Sequence, residues 1–323
     1  MSWPVILIVL VAALAVAAAW VALVPAGLGR LGSEPHPARD YAEAVQRIEA
    51  LRAAEGAAFH PQGRTIFLTH GQKTARVVIF AHGYTSAPEQ FRPLGQGLFD
   101  LGYNVLIAPL PHHGLADRMT DEQARLTAEE LARYGDEVVD IGRGLGEHIT
   151  LAGLSGGGVT TAWAAQTRAD LDQAVIISAA LGFQAIRRPL TVAMMNATLA
   201  LPNRFGWWDP AEQEKSGPDY TYPRYSRRAL GQILRLGYGA LGRARAGAPA
   251  AKSIVVVTNA HDPSVDNFAA ARLAEVWRTG GAKNLRAYEF PMEFKLPHDL
   301  IDPNATDAQP EVVFPKLVEL IEG

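Results

Sequence analysis

Residues Leu151–Thr161 read LAGLSGGGVTT, and within them Gly153, Ser155 and Gly157 make the pattern G-x-S-x-G. A serine with glycine two positions before and two after suits a chain that turns abruptly from strand to helix. Only residues without a Cβ fit beside such a turn, and the serine hydroxyl is left standing clear of the backbone. The flanks agree: His148 to Ala152 has the character of a short buried strand, and Val159 to Thr167 is alanine-rich and free of helix breakers. Small residues also gather in ordinary turns, so the pattern alone leaves a plain turn open. Its value lies in the other positions it predicts.

A serine nucleophile needs an oxyanion site, a base and an acid that orients the base. Arg76–Gly83, RVVIFAHG, is a β-branched apolar run ending in His-Gly. The backbone N–H of Tyr84, just past it, and that of Gly156, just after the serine, are the expected oxyanion donors. His82 reads as a structural histidine orienting this loop, and Ser86 with Glu89 as a capping box opening the next helix. Ser253–Thr258, SIVVVT, is the clearest late strand, and Asp262 follows it before the amphipathic stretch Asn267–Arg278. Asp262 is the expected acid and Asp266 the reserve, against the bland reading that either aspartate caps a helix. A last strand over Asn284–Pro291 precedes His298, the only one of nine histidines in the C-terminal segment and hence the expected base. The order is Ser155, Asp262, His298.

With elbow, oxyanion strand, acid and base in that order, the chain resembles the α/β-hydrolase superfamily from about Arg76 to the C-terminus, and in particular its esterase and monoglyceride-lipase-like branch. Ala108–Gly114 looks like the family loop written P-x-L-P-G-H-G; His113 and Gly114 match it, and His112 stands where glycine is common, a departure expected to alter the pocket rim. The resemblance implies Ser155 as nucleophile, Asp262 as acid, His298 as base, and Tyr84 and Gly156 as oxyanion donors. It also implies that the roughly seventy residues between the strand Ala174–Ser178 and Ser253 form a cap over the nucleophile, about 181–250, rather than a loop. Most of that segment's aromatic and Met residues suit the cap's own small core; Phe183, Met194 and Trp207 are the candidates to touch substrate.

Ser2–Val24 carries no charge and is long enough to cross a hydrocarbon layer about 30 Å thick. A cleaved signal peptide is the rival, with cleavage after Ala17 or Ala19. The missing basic n-region and the apolar run through Trp20–Val24 favour an uncleaved anchor. Arg30 and Arg39 after the span tilt the following domain towards the cytoplasm. Residues 25–37 then read as a Gly/Pro-containing linker, and 38–323 as one hydrolase domain. Its first element is an amphipathic helix over Ala38–Glu55, with Tyr41, Val45, Ile48 and Leu51 facing the domain. Thr65–Leu68 and Arg76–Phe80 suggest adjacent strands joined by a polar turn, Asn104–Ala108 is a further strand, and Thr127 with Glu130 is a second capping box. Alternating strands and helices imply an α/β fold with a mainly parallel sheet covered on both faces.

The net charge is −3 with no basic run, which argues against nucleic acid as a partner. Cysteine is absent, excluding a thiol nucleophile, disulfides and thiolate metal sites. His112-His113 lacks a nearby acidic pair in the sequence, so neither metal nor cofactor is expected. The sum is a single-pass membrane-anchored serine hydrolase cleaving a small-molecule or lipid carboxylic ester, with an apolar acyl chain. A thioesterase, amidase or acyltransferase would use the same groups, and a non-catalytic binding or scaffold protein on this fold is the alternative from another class. A dehalogenase or epoxide hydrolase would need Asp in place of Ser155. Nothing in the sequence sets the oligomeric state.

Overall fold

The computed structural model describes residues 2–323. The chain runs from α1 (Trp3–Leu23) and α2 (Tyr41–Ala54) into β1 (Ile66–Leu68), β2 (Thr74–Ala81), α3 (Arg92–Asp100) and β3 (Asn104–Ile107). There follow α4 (Ala128–Leu145), β4 (Gly146–Leu154), α5 (Gly156–Thr167), β5 (Gln173–Ile177), α6 (Thr191–Ala200), β6 (Phe205–Trp207) and β7 (Arg224–Ser226). It closes with α7 (Arg227–Ala246), β8 (Ser253–Asn259), α8 (Asn267–Thr279), β9 (Leu285–Phe290) and α9 (Pro310–Glu322).

Seven strands form one sheet in the order β1-β3-β2-β4-β5-β8-β9, parallel throughout except at the β1 edge. Successive side chains of a strand point to opposite faces, and here both faces are apolar. Val77 and Ile79 enter the core shared with α4, α5, α7 and α8; Val78 and Phe80 enter the one shared with α3 and α9. This is the burial on both faces that parallel strands require. The expected neighbours β1 and β2 do not pair. β3 lies between them, with Ile66 opposite Ile107 in antiparallel register. Asn104 holds the reversal, accepting from the His70 N–H at 3.0 Å and donating to Gln72 O at 2.8 Å.

The Thr127–Glu130 box opens α4 as expected, with both reciprocal hydrogen bonds made. The box expected at Ser86 is absent. Ala87 precedes a single 3₁₀ turn, Glu89 pairs with Arg92 at 2.5 Å, and the buried Ser86 hydroxyl has no hydrogen-bond partner among the described residues. Pro88 at the first helical position sets that start.

Residues 25–37 are no loose linker. Arg235 donates to Gly27 O, Arg243 to Leu31 O at 2.9 Å, and Ser33 and the Glu34 N–H both reach Asp136, at 2.6 and 2.7 Å. The wholly buried Arg168 neutralises the aspartates that hold this strap, bonding Asp140 at 2.5 Å and Asp136 at 3.3 Å. Between β5 and β8 the chain divides. Residues 181–226 carry α6 and the β6–β7 hairpin beside the strand ends, whereas α7 buries Ile233, Leu236 and Ala240 in the core with α5 and α4. Of the span 181–250 expected as a cap, α7 instead belongs to the layer flanking the sheet.

Candidate active site

β4 ends at Leu154 and α5 begins at Gly156, so the whole reversal falls on Ser155. Its φ of +55° and ψ of −111° lie where a residue with a side chain is strained. A Cβ on Gly153 would overlap the Gly157 carbonyl, and one on Gly157 would overlap that of Ala81. The two glycines therefore answer to backbone packing, and Ser155 alone carries a side chain out of the turn. The helix starts three residues before the expected Val159, because this packing overrides the poor helix propensity of Gly156–Gly158. Ser155 is fixed by its N–H to Ile177 O at 3.0 Å and by its carbonyl, which accepts from Val159 and Ala180.

The oxyanion donors expected from sequence come together. A Cβ placed on Gly156 would lie 3.3 Å from the Tyr84 nitrogen. The Gly156 N–H opens α5 and so has no intrahelical acceptor. Tyr84 is held from its far end: its buried hydroxyl donates to Gln123 Oε1 and accepts from the Ser226 N–H at 2.9 Å. Thr85, at φ +68°, is gripped by two cap residues and by His113. Trp208 Nε1 donates to its hydroxyl at 2.8 Å, the Tyr222 N–H to its carbonyl at 2.8 Å, and its own N–H donates to His113 Nε2 at 3.1 Å.

His298 Nδ1 lies 2.9 Å from Asp262 Oδ2 and 3.0 Å from Oδ1. Burial alone would depress the imidazole, but the bond to Asp262 and its charge, helped by Asp299, hold the His298 pKa above the ordinary histidine value. Burial likewise opposes ionisation of Asp262; the His298 contact and the N–H groups of Val265 and Ser264 outweigh it and keep the carboxyl below the usual range. Asp266 does the other job. It caps α8 through the Phe268 N–H and pairs with Arg188 at 2.6 Å. Among the described residues no hydrogen bond joins the Ser155 hydroxyl to His298, though both line one cavity of about 1390 Å³. Such contacts are often loose in a free enzyme and close on binding.

Phe183, Met194 and Trp207 all line this cavity, and Phe183 bridges to Val265 beside the acid loop. Trp208 and Tyr222, among the aromatics expected to form the insertion's own core, line the cavity too, and sequence reasoning missed a polar end made of Gln90, Asp299, Asp302 and Asn304. Gln90 is buried and joins two loops, accepting from the Gly83 N–H at 2.8 Å and donating to Asp299 Oδ1 at 3.1 Å. Burial pushes the Asp302 carboxyl up to about 6, where it accepts from the Tyr220 hydroxyl at 2.8 Å.

His82 is structural as expected: Nε2 accepts from the Leu110 N–H and Nδ1–H donates to Gly83 O. Burial and the neighbouring His113 push it down to about 3, so it stays neutral. His112 takes φ +64°, which is why glycine suits that position. Its ring sits between Glu130 at 3.2 Å and Glu122 at 3.4 Å and lines a separate cavity of about 510 Å³ rather than the Ser155 cavity. Among the described residues no group of three or more His, Cys, Asp or Glu is arranged to hold a metal ion.

Comparison with known proteins agrees with this architecture. A thermostable monoacylglycerol lipase of Bacillus sp. (strain H-257) is 27% identical over 165 residues, covering 49% of this chain and 59% of that protein, so the match spans less than two thirds of the relative. Among solved structures, a monoacylglycerol lipase from Paleococcus ferrophilus superposes with a TM-score of 0.60 at 18% identity, over 80% of this chain and 97% of that one. A soluble variant of the monoglyceride lipase of Saccharomyces cerevisiae gives 0.59 at 14%, over 80% and 90%. At these identities the structural likeness is one of fold. The alpha/beta hydrolase family matches residues 78–301, from within β2 to just past the loop that carries His298, and the chain belongs to that family.

Proposed function

We propose that the protein is a membrane-anchored serine hydrolase that cleaves a carboxylic ester with an apolar acyl chain. The observation that carries the reading is the pairing across one cavity: Ser155 on a strained elbow, and His298 with Nδ1 committed to Asp262. With Nδ1–H donated to the carboxylate, Nε2 is the free basic nitrogen. Nε2 takes the proton as Ser155 Oγ bonds to the carbonyl carbon, and the oxygen becomes an anion facing the N–H groups of Tyr84 and Gly156. Loss of one such donor costs about 3–4 kcal/mol of transition-state stabilisation in comparable sites. The C–O bond to the alcohol then breaks, Nε2 returns the proton to the leaving oxygen, and water repeats the sequence on the acyl-enzyme. Phe183, Met194 and Trp207 supply the apolar wall for the acyl chain.

Anchoring is supported by α1, 21 residues long and apolar, about 30 Å at 1.5 Å per residue. Retention of the segment is supported by Asn196, buried on α6, whose carboxamide spends its bonds on Val21 O, Val24 O and the Ala26 N–H. Removing residues up to Ala19 would take away the helix on which those bonds depend. Fluorophosphonate labelling of membrane fractions tests the chemistry: wild-type protein is expected to label, and Ser155→Ala to stay silent. Equal silence of both proteins would refute the hydrolase reading.

A further inference from the structure

One short helix, α6, touches both the cavity and the anchor. Met194, Met195 and Thr198 line the cavity that holds Ser155 and His298. From the same helix Asn196 Nδ2 donates to Val21 O at 2.6 Å and to Val24 O at 2.8 Å, while its Oδ1 accepts from the Ala26 N–H at 3.0 Å. The Val21 carbonyl would ordinarily take the N–H of residue 25, but Pro25 has none, so Asn196 supplies what the proline withholds. Beyond Ala26 the strap is pinned to the body by Arg235, Arg243 and Asp136. The end of the anchor is thereby fixed to cap and body alike, and is no swivel.

The outer surface beside this junction is apolar and basic. Leu190 and Leu201, which flank α6 at its two ends, are 51% and 60% exposed, about 16 Å apart along the helix axis. From Leu181 to Trp208 the only ionisable side chains are Arg187, Arg188 and Arg204. Arg188 is engaged by Asp266; Arg187 and Arg204 are exposed and form no ion pair among the described residues. Exposed leucines between arginines, next to the end of an apolar span, match the headgroup boundary of an anionic lipid layer.

We propose that α6 docks the cap on an anionic lipid surface at the end of the anchor, and that the ester enters the cavity past α6 from that same leaflet. This rests on the anchored ester-hydrolase reading. Because the anchor cannot swivel, α6 meets the leaflet at high effective concentration without needing strong affinity of its own.

The test uses the full-length protein in phosphatidylcholine vesicles with and without phosphatidylglycerol, acting on embedded 1-oleoylglycerol and on soluble p-nitrophenyl acetate. A Leu190→Glu/Leu201→Glu double variant is expected to lose about tenfold or more on the embedded ester and its response to phosphatidylglycerol. It should hold p-nitrophenyl acetate turnover within about twofold, since neither leucine lines the cavity. Asn196→Ala is expected to give a smaller loss of the same selectivity, because the anchor remains but no longer grips α6. Unchanged turnover of the embedded ester in the double variant overturns the proposal. So does a fall in sedimentation mass showing that the leucines join two copies of the chain. Wild-type protein that washes off the vesicles refutes the anchor, and wild-type protein inert to both esters and to a fluorophosphonate refutes the hydrolase; either result takes this proposal with it.

Discussion

Across the cavity, Ser155 faces a wall built in a different way from its own. The elbow is fixed by backbone against backbone: Gly153 against Gly157, Gly157 against Ala81 and His82, Ser155 N–H on Ile177 O. Residues 181–226 touch backbone at a few points, Tyr222 N–H on Thr85 O and Gln184 N–H on Ser264 O, and are otherwise held by side chains: Arg118 to the carbonyls of Ser216 and Thr221, Trp208 to Thr85, and Tyr220 to Asp302. Backbone packing leaves no room for substitution, whereas side-chain ties can be exchanged one at a time. Reacting groups belong on the first kind of wall and substrate choice on the second.

The sharpest break of this contrast is Gly157→Ala. One methyl group would overlap the carbonyls of Ala81 and His82, and neither strand end can retreat without disturbing the sheet. We expect loss of fluorophosphonate labelling and a stability cost of about 3 kcal/mol or more by denaturant unfolding. An alanine variant that labels normally would show that the elbow is held by something softer.

Next in size is Asp262→Asn. Amide replacement invites the wrong imidazole tautomer, and kcat is expected to fall about 10⁴-fold. The sign of its pH effect is fixed by the charges. Asp262 raises the His298 pKa, and only the neutral imidazole accepts a proton, so wild-type activity should rise with pH through a value above the ordinary histidine 6.5. The residual activity of Asp262→Asn should rise at lower pH than in the wild type. Asp266→Asn keeps a side-chain acceptor for the cap but loses the ion pair to Arg188, so it should leave the profile alone and cost about 1 kcal/mol or less of stability.

These two aspartates also mark how far the sequence could be read. Asp262 and His298 each follow a late strand in chain order, and the elbow pattern is local to Gly153–Gly157, so the placing of these residues was legible, although Gly157 itself answers to Ala81 and His82 from a distant strand. The sheet order was not: nothing local to β1 says that β3 will insert beside β2. The cap's grip on Thr85 was equally hidden, since Trp208 reaches it from 123 residues away. Gln90 illustrates both cases, lying 7 residues from Gly83 and 209 from Asp299, with no motif at either distance.

Gln90 gives the third prediction. It positions rather than reacts, tying the loop before Tyr84 to the residue after His298. Gln90→Leu keeps the volume and removes both bonds, leaving the Gly83 N–H buried and unpaired. We expect kcat to fall about 10- to 100-fold with KM little changed, because the two loops lose their mutual register more than the cavity loses its walls. A change confined to KM would mean that Gln90 serves the substrate directly.

The smallest effect is expected on the cap side. Met194 is half-exposed and contributes part of the cavity wall. Truncation to alanine removes three heavy atoms of apolar contact, about 1–2 kcal/mol for a chain that reaches it. Met194→Ala should therefore lower kcat/KM for a decanoyl ester about tenfold and for an acetyl ester far less, since a two-carbon acyl group has little apolar surface to lay against that wall. The elbow gives no such gradation: any change that moves Ser155 acts on every acyl length alike. A uniform loss across the ester series in Met194→Ala would place α6 with the elbow in holding the reacting groups, and the division of labour between the two walls would fall.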